Sequence, residues 1–152
     1  MDALETFIVA AKASCYVGGS QKQRISCRTA SHDLIFRQGP FSYMDSYFGG
    51  TDFIGQEVVW QDETPIWAMN YYGRITCDDH IDSTKAGQVI KSALSALYQQ
   101  GRFLGGHDFQ YEGFLYRDQS TGTYRGFKGF ETISIEGFEV YRLDYHGGMI
   151  RA

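Results

Sequence analysis

The sequence contains no cluster of basic residues and few cysteines, and both absences narrow its function. Its 14 Lys and Arg residues are outnumbered by 18 Asp and Glu, which gives a formal net charge of −4 at pH 7. A nucleic-acid-binding protein concentrates positive charge on one face, so we expect no nucleic-acid partner. The 3 cysteines are odd in number and lack framework spacing, which favours a reducing cytoplasm over a disulfide-bonded, secreted class.

Long apolar runs and the familiar catalytic motifs are also missing. No run of 18 apolar residues is present to span a bilayer, and residues 1–20 lack the basic start and apolar core of a signal peptide. We therefore expect a cytoplasmic protein with no membrane partner. No nucleophile elbow, phosphate-binding loop or zinc-protease motif occurs. Cys77 and His80 form a lone C-x-x-H pair and His146 falls on a polar face, so we expect no metal, no cofactor and no histidine catalysis.

An internal repeat is the most informative feature that the sequence does contain, in a chain with 16% aromatic residues and 18 glycines. Residues 36–73 match a later block when shifted by 73 positions and, after a one-residue insertion, by 74. Roughly two or three identities are expected by chance, whereas ten occur, so the pattern indicates a duplication. The identical pairs are Phe36/Phe109, Phe41/Phe114, Tyr43/Tyr116, Asp45/Asp118, Gly49/Gly122, Phe53/Phe127, Gly55/Gly129, Glu57/Glu131, Tyr71/Tyr145 and Gly73/Gly147.

Hydrophobic periodicity predicts one helix ahead of each copy of the repeat. Apolar residues at helical spacing predict helices over 4–15 and 84–99. Gly18-Gly19 should stop the first helix; Asp82 or Ser83 should cap the second, and Gly101 should stop it. Turn signals divide the remaining chain into predicted strands over 34–37, 41–48, 53–61, 65–72, 108–111, 114–118, 125–135 and 138–146.

These elements predict an α+β fold in one domain. We expect residues 1–152 to form two repeats, of about 1–74 and 75–152, each a helix followed by four strands. Such units pair most economically into one curved antiparallel sheet with both helices on one face, related by a pseudo-two-fold axis.

Strand alternation places four carboxylates on the apolar, aromatic face of this sheet: Asp45, Glu57, Asp118 and Glu131. A buried carboxylate needs a hydrogen-bond partner, a ligand or a proton. For Glu57 and Glu131 two interpretations stay open, a ligand site or a structural hydrogen bond to tyrosine hydroxyls or backbone amides. Asp45 and Asp118 precede glycine-containing turns, and for them we favour turn capping.

Gly55 and Gly129 stand in the middle of predicted strands, two residues before the two glutamates. Glycine inside a strand marks a bulge, a bend or the close approach of a ligand. We favour a bulge or bend, which would also redirect the neighbouring glutamate.

The inward side chains together predict a cleft that binds a small molecule. Aromatic faces next to a carboxylate suit an organic cation or a polar planar ligand. The candidate ligand-binding residues are Glu57, Glu131, Trp67, Tyr71, Tyr141, Tyr145, Tyr43 and Tyr116.

Two groups of motifs are distinctive. The first copy contains MDSYFGG (44–50), FxGQEVV (53–59) and PIWxMxYYG (65–73), and the second contains FxGxExI (127–133) and VYxLxYHGG (140–148). Over nearly the whole chain they resemble an uncharacterised bacterial family, known only as a domain of unknown function.

The resemblance implies stand-alone proteins, or domains that follow a helix-turn-helix segment; we find no such segment here, so no DNA-binding role carries over. The fused form implies sensing of small molecules. By fold-level analogy the duplicated unit is similar to gyrase-inhibitor-like effector domains, which bind hydrophobic cations.

Three functions are compatible with the sequence. The first is binding of a small molecule in the cleft. The second is a small hydrolase, isomerase or cyclase that uses Glu57 and Glu131 as acid and base. The third is a structural or interaction module whose polar face, Arg142, Asp144 and His146, pairs with a partner or forms a homodimer. The identity of the ligand, any reaction and the oligomeric state stay open.

Overall fold

Eight strands and two helices make up the protein, as seen in a computed structural model that describes residues 2–17 and 26–152. The structure is α+β, as the sequence predicts, and each strand overlaps a predicted one. In chain order the elements are α1 (Ala3–Lys12), a π-helical turn (Ala13–Val17), β1 (His32–Gln38), β2 (Phe41–Gly49), β3 (Phe53–Gln61), β4 (Thr64–Ile75), α2 (Ser83–Gln99), β5 (His107–Tyr111), β6 (Phe114–Thr123), β7 (Gly126–Ile135) and β8 (Phe138–Met149).

Both helices begin at an aspartate that accepts a hydrogen bond from a backbone amide of the first turn. Asp2 accepts from the amide two residues later at 3.1 Å, and Asp82 accepts from the amide three residues later at 2.7 Å. Asp82 is therefore the N-cap of α2, with Ser83 its first helical residue. The α-helical part of α1 is shorter than predicted, because the backbone passes into the π-helical turn after Lys12. Its predicted stop, Gly18-Gly19, lies outside the described residues.

The strands form one open antiparallel sheet in the order β1-β2-β3-β4-β8-β7-β6-β5. β4 and β8 pair at the centre, from Trp67 opposite Met149 to Ile75 opposite Tyr141. β1 and β5 form the outer edges. Each half of the sheet is a run of hairpins, so the two halves of the sheet are joined by a single pair of strands.

The mid-strand glycines do not mark bulges, so the bulge that the sequence favours at these positions, as one of two options, is wrong. The register irregularities of β3 and β7 come four residues further along each strand. Gly55 instead faces Tyr71 on β4, and a Cβ atom on Gly55 would lie 2.4 Å from the Tyr71 hydroxyl oxygen. Gly129 faces Tyr145 on β8 in the same way, at 2.5 Å. Each glycine makes room for a tyrosine side chain that crosses its strand.

The core lies between the helices and the inward face of the sheet. The Phe7 ring of α1 packs on Phe36 and Phe41, with ring centroids 5.6 and 5.1 Å apart. From α2, Val89 and Leu97 are buried in the same cluster of side chains. Packing is incomplete in the middle of this layer, where a cavity remains.

Candidate functional site

A cavity of about 500 Å³ opens between the helices and the inward face of the sheet. Side chains of α1, the π-helical turn and α2 form one side, and residues of both halves of the sheet form the other. Most of the wall is aromatic or aliphatic. The charged residues in the wall are Lys12, Glu57, Asp118 and Glu131.

Six of the eight ligand-binding residues predicted from the sequence line this cavity, and two do not. Trp67 is fully buried elsewhere in the core, where its indole N–H donates to the backbone oxygen of Tyr124 at 2.8 Å and its ring stacks on Phe127. Tyr43 is also buried outside the wall, and its hydroxyl has no hydrogen-bond partner within the described residues. The six that line the cavity are Glu57, Tyr71, Tyr116, Glu131, Tyr141 and Tyr145.

Asp45 and Glu57 form the first pair of inward carboxylates, directly opposite each other on β2 and β3. Asp45 contacts the hydroxyl oxygens of Tyr16 and Tyr71, each at 2.6 Å. Glu57 is held by Lys12, whose Nζ lies 2.9 Å from Oε1 and 2.8 Å from Oε2. Both members of this ion pair are buried, with 4% of the Lys12 side chain and 1% of the Glu57 side chain exposed. Asp45 is thus a buried mid-strand residue and not a turn cap, which corrects the expectation from the sequence.

The Tyr16 hydroxyl lies between the two carboxyls and contacts both of them. Its oxygen lies 2.6 Å from Asp45 Oδ2 and 2.8 Å from Glu57 Oε1. Since a hydroxyl donates only one hydrogen bond, both contacts are hydrogen bonds only when one carboxyl carries a proton. Asp45 suits that role, because burial and the neighbouring Glu57 carboxylate raise its pKa to about 7. Protonated Asp45 can donate to Tyr16, which then donates to Glu57.

Asp118 and Glu131 form the second pair, opposite each other on β6 and β7. Tyr116 and Tyr141 both donate hydroxyl hydrogen bonds to Glu131, that of Tyr141 to Oε1 at 3.1 Å. Tyr145 donates to Asp118 Oδ1 at 2.7 Å. Asp118 Oδ2 has no hydrogen-bond partner in the described part of the chain, although only 5% of the residue is exposed. Asp118, too, is a buried mid-strand residue and not the predicted turn cap.

The two carboxylate pairs differ in what stabilises their negative charge. Burial, with the Asp118 charge adding to it, raises the pKa of Glu131 to about 7 despite the tyrosine hydrogen bonds. Burial also raises the pKa of Asp118. No lysine or arginine among the described residues forms an ion pair with either carboxylate. One pair is therefore neutralised by an internal ammonium group, and the other is held by hydroxyls alone.

Lys12 and Tyr16 belong to the site although neither is among the residues predicted from the sequence. A usable signal exists for Lys12: it lies four residues after Ile8, on the apolar stripe of the first helix, where a charged side chain needs a buried partner. Cys15, at the end of the first predicted helix, also lines the cavity. Burial and the nearby acidic side chains raise the pKa of its thiol to about 12, so it stays protonated.

The polar face predicted from the sequence lies away from the cavity. Asp144 and His146 are exposed on β8, and Arg142 lies 3.2 Å from an Asp144 carboxylate oxygen. Asn70 contacts His146 there, at 3.3 Å.

Within residues 2–17 and 26–152, no three His, Cys, Asp or Glu side chains are grouped to hold a metal ion. Among the same residues, no helix has both the length and the apolar character needed to cross a membrane.

Comparison with known proteins gives one match. The family model described as a domain of unknown function (DUF5680) matches residues 45–150. No curated protein and no solved structure matches the chain, so the analogy with gyrase-inhibitor-like domains stays a prediction. The bacterial origin and the helix-turn-helix fusion also stay predictions. All four inward carboxylates lie inside the matched segment, whereas Lys12 and Tyr16 precede it.

Proposed function

Because the chain belongs to the DUF5680 family of unknown function, we propose a function from the site itself: the cavity binds a small organic cation with an aromatic or apolar body. Its volume of about 500 Å³ suits such a molecule, since small-molecule pockets measure roughly 300–1,000 Å³. The wall supplies the apolar surface, with Tyr71, Tyr98, Tyr141 and Tyr145 among its aromatic members. Aromatic faces also attract cations through their π-electrons.

The imbalance of charge in the wall is the observation that carries this proposal. Three carboxylates, Glu57, Asp118 and Glu131, face the cavity against a single ammonium group, that of Lys12. A buried carboxylate without a counter-charge is costly and takes up a proton. A bound cation removes that cost, because it lets Glu131 and Asp118 ionise beside a positive charge. A neutral ligand of the same shape brings no such gain.

We also propose that the cavity arose between two copies of one ancestral unit. The ten identical positions support this, and so does the strand order, in which β1 to β4 mirror β5 to β8 about the central pair. The domain then spans residues 1–152 with one shared cavity. The three free cysteines fit a cytoplasmic location.

A ligand screen with matched compounds tests the proposed function. Aromatic and aliphatic ammonium compounds, each paired with a neutral compound of the same shape, are added while the unfolding temperature is measured. We expect the cations to raise the unfolding temperature and the neutral partners to leave it unchanged. Glu131→Gln should weaken that effect, whereas Asp144→Asn, an exposed carboxylate outside the cavity, should not. Equal stabilisation by both members of the pairs, or by none, would refute the proposal.

Acid–base catalysis is the second candidate, and the Asp45–Tyr16–Glu57 chain favours it. The hydrogen-bonded chain from Asp45 through Tyr16 to Glu57 includes a carboxyl, that of Asp45, with a pKa of about 7. Both features suit general acid–base chemistry near neutral pH. A bell-shaped dependence of rate on pH with any screened compound would support an enzyme. Reversible, saturable binding without turnover would favour the binding function instead.

A further inference from the structure

We infer that the Asp118–Glu131 end of the cavity is an amine subsite, which binds the protonated primary or secondary amino group of the ligand. This inference rests on the proposed function and narrows it, because a quaternary ammonium compound is also an organic cation but has no N–H group. Three observations support it: Glu57 in the same wall already binds an ammonium group, one carboxylate oxygen of Asp118 has no partner among the described residues, and the protein cations that act on Asp118 are bound to other groups.

Lys12 shows how the wall of the cavity already holds an ammonium group beside Glu57. Its Nζ lies within 3 Å of both Glu57 carboxylate oxygens and 3.6 Å from the sulfur of Met69. The Phe103 ring centroid is 5.3 Å away, close enough for a cation–π contact. A carboxylate, a soft apolar neighbour and an aromatic face therefore suffice here to keep a primary ammonium almost completely out of water.

The Asp118–Glu131 pair repeats the acidic part of this arrangement without the ammonium group. Glu131 faces Leu143 across the sheet as Glu57 faces Met69, and Asp118 faces Glu131 as Asp45 faces Glu57. Each oxygen of Asp45 contacts a tyrosine hydroxyl, but Asp118 contacts only one, that of Tyr145. Asp118 Oδ2 is left without a donor from any residue that the structure describes, although the side chain lines the cavity.

The protein cations near Asp118 are already engaged. Lys12 is bound to Glu57, and Arg102 donates through Nη1 to the backbone oxygens of Leu104 and Gly106, each at 2.8 Å. The positive charges of Lys12 and Arg102 act to lower the pKa of Asp118. Burial has the larger effect, so this pKa lies above its ordinary value. An N–H donor from a ligand is therefore the missing partner of Oδ2.

The ligand group that best fits Asp118 Oδ2 is a protonated amine that carries N–H groups. An unmet carboxylate oxygen gains most from a charge-assisted hydrogen bond, which needs a positively charged donor. A protonated primary or secondary amine supplies both the charge and the donor. A quaternary ammonium supplies only the charge, and its methyl groups hold the nitrogen away from the oxygen.

Three probes that share a benzyl group separate these cases: benzylamine, benzyltrimethylammonium and benzyl alcohol. Each is titrated into the full chain, and binding is followed by NMR chemical shifts, which detect weak complexes. We expect benzylamine to bind the wild type at least tenfold more tightly than either other probe. The carboxyl carbon signal of Asp118 should show a lower pKa when benzylamine is bound, a change that a purely structural role would not produce.

Two variants locate the subsite. Asp118→Asn keeps an oxygen for the Tyr145 hydroxyl but removes the charge, and we expect it to weaken benzylamine binding at least tenfold. Asp144→Asn is the control from outside the cavity; its side chain is exposed on β8 beside Arg142, so its effect should be under threefold. If Asp118→Asn does not fold, the wild-type comparison of benzylamine with benzyltrimethylammonium still decides.

Failure of this inference is distinct from failure of the proposed function. Equal binding of benzylamine and benzyltrimethylammonium, or no loss in a folded Asp118→Asn variant, overturns the amine subsite and leaves an organic-cation cavity. Equal binding of benzyl alcohol and benzylamine, or no binding of either cation, overturns both.

Discussion

Replacing Glu57 and Glu131 by glutamine, one at a time, should change stability in opposite directions, although the two residues occupy matching positions in the repeat. Glu57→Gln removes the counter-charge of Lys12, whose side chain is only 4% exposed. Breaking a buried ion pair in this way costs about 3–5 kcal/mol, because the remaining charge is stranded away from water. We therefore expect the free energy of unfolding at pH 7 to fall by that amount.

Glu131→Gln removes a group that the fold prefers protonated. Its pKa in the folded protein is about 7, compared with an ordinary value of 4.5. Because the folded state binds the proton more tightly, the wild type loses stability as pH rises from 4.5 to 7, and the loss levels off above 7. This difference corresponds to about 3 kcal/mol at high pH. Glutamine avoids that loss but serves the two tyrosine hydroxyls less well, at a cost of about 1 kcal/mol.

The expected result is a variant of nearly wild-type stability at pH 5 and about 2 kcal/mol more stable above pH 7. Urea unfolding of both variants and the wild type at pH 5, 7 and 8 measures these differences. The Lys12→Met/Glu57→Gln double variant is the control, and it should recover at least half of the Glu57→Gln loss because no charge is stranded. Equal losses in the two single variants, with no dependence on pH, would refute the reasoning.

Three further predictions concern the same cavity. Cys15, with a thiol pKa of about 12, should react with a maleimide at least tenfold more slowly than the exposed Cys27, as peptide mass spectrometry would show; equal rates would contradict its burial. Gly129→Ala should lose about 1–3 kcal/mol, because the new Cβ would lie 2.5 Å from Tyr145. The control Gly87→Ala meets no atom within 4 Å in α2 and should gain about 0.5–1 kcal/mol; equal unfolding midpoints would count against the steric argument. Benzylamine affinity should rise between pH 6 and 8, because the cation binds the ionised form of Glu131, and calorimetry in buffers of different ionisation enthalpy should detect proton release; a flat profile would contradict it.

Local patterns in the sequence carry most of the secondary structure and one part of the site. Alternation with period two predicts the strands and places Glu57 and Glu131 on the inward face, because side-chain direction in a strand depends only on residue parity. Paired turn residues fix the ends of the strands. The α+β class follows from the same signals.

Contacts between distant segments account for what the sequence analysis missed. Lys12 reaches Glu57 across 45 positions, and the helical pattern around Lys12 does not encode how α1 lies over the sheet. Trp67 was expected in the wall, but its indole N–H finds a backbone oxygen 57 residues away and turns out of the cavity. The sequence around Gly55 predicts a bulge or bend, because the contact with Tyr71 depends on the register of β3 against β4, which the local sequence does not contain.

The central position of the β4–β8 pair also dictates the order in which the protein can fold during its synthesis. β4 is complete at Ile75, but its partner begins only at Phe138. At translation rates of about 5–20 residues per second, the β4 edge waits roughly 3–15 seconds for β8 to emerge. An unpaired edge that carries residues such as Trp67 and Tyr71 is a template for pairing with another chain. Nascent copies on one messenger RNA are therefore most exposed to misassembly at the strand that later lies deepest in the sheet.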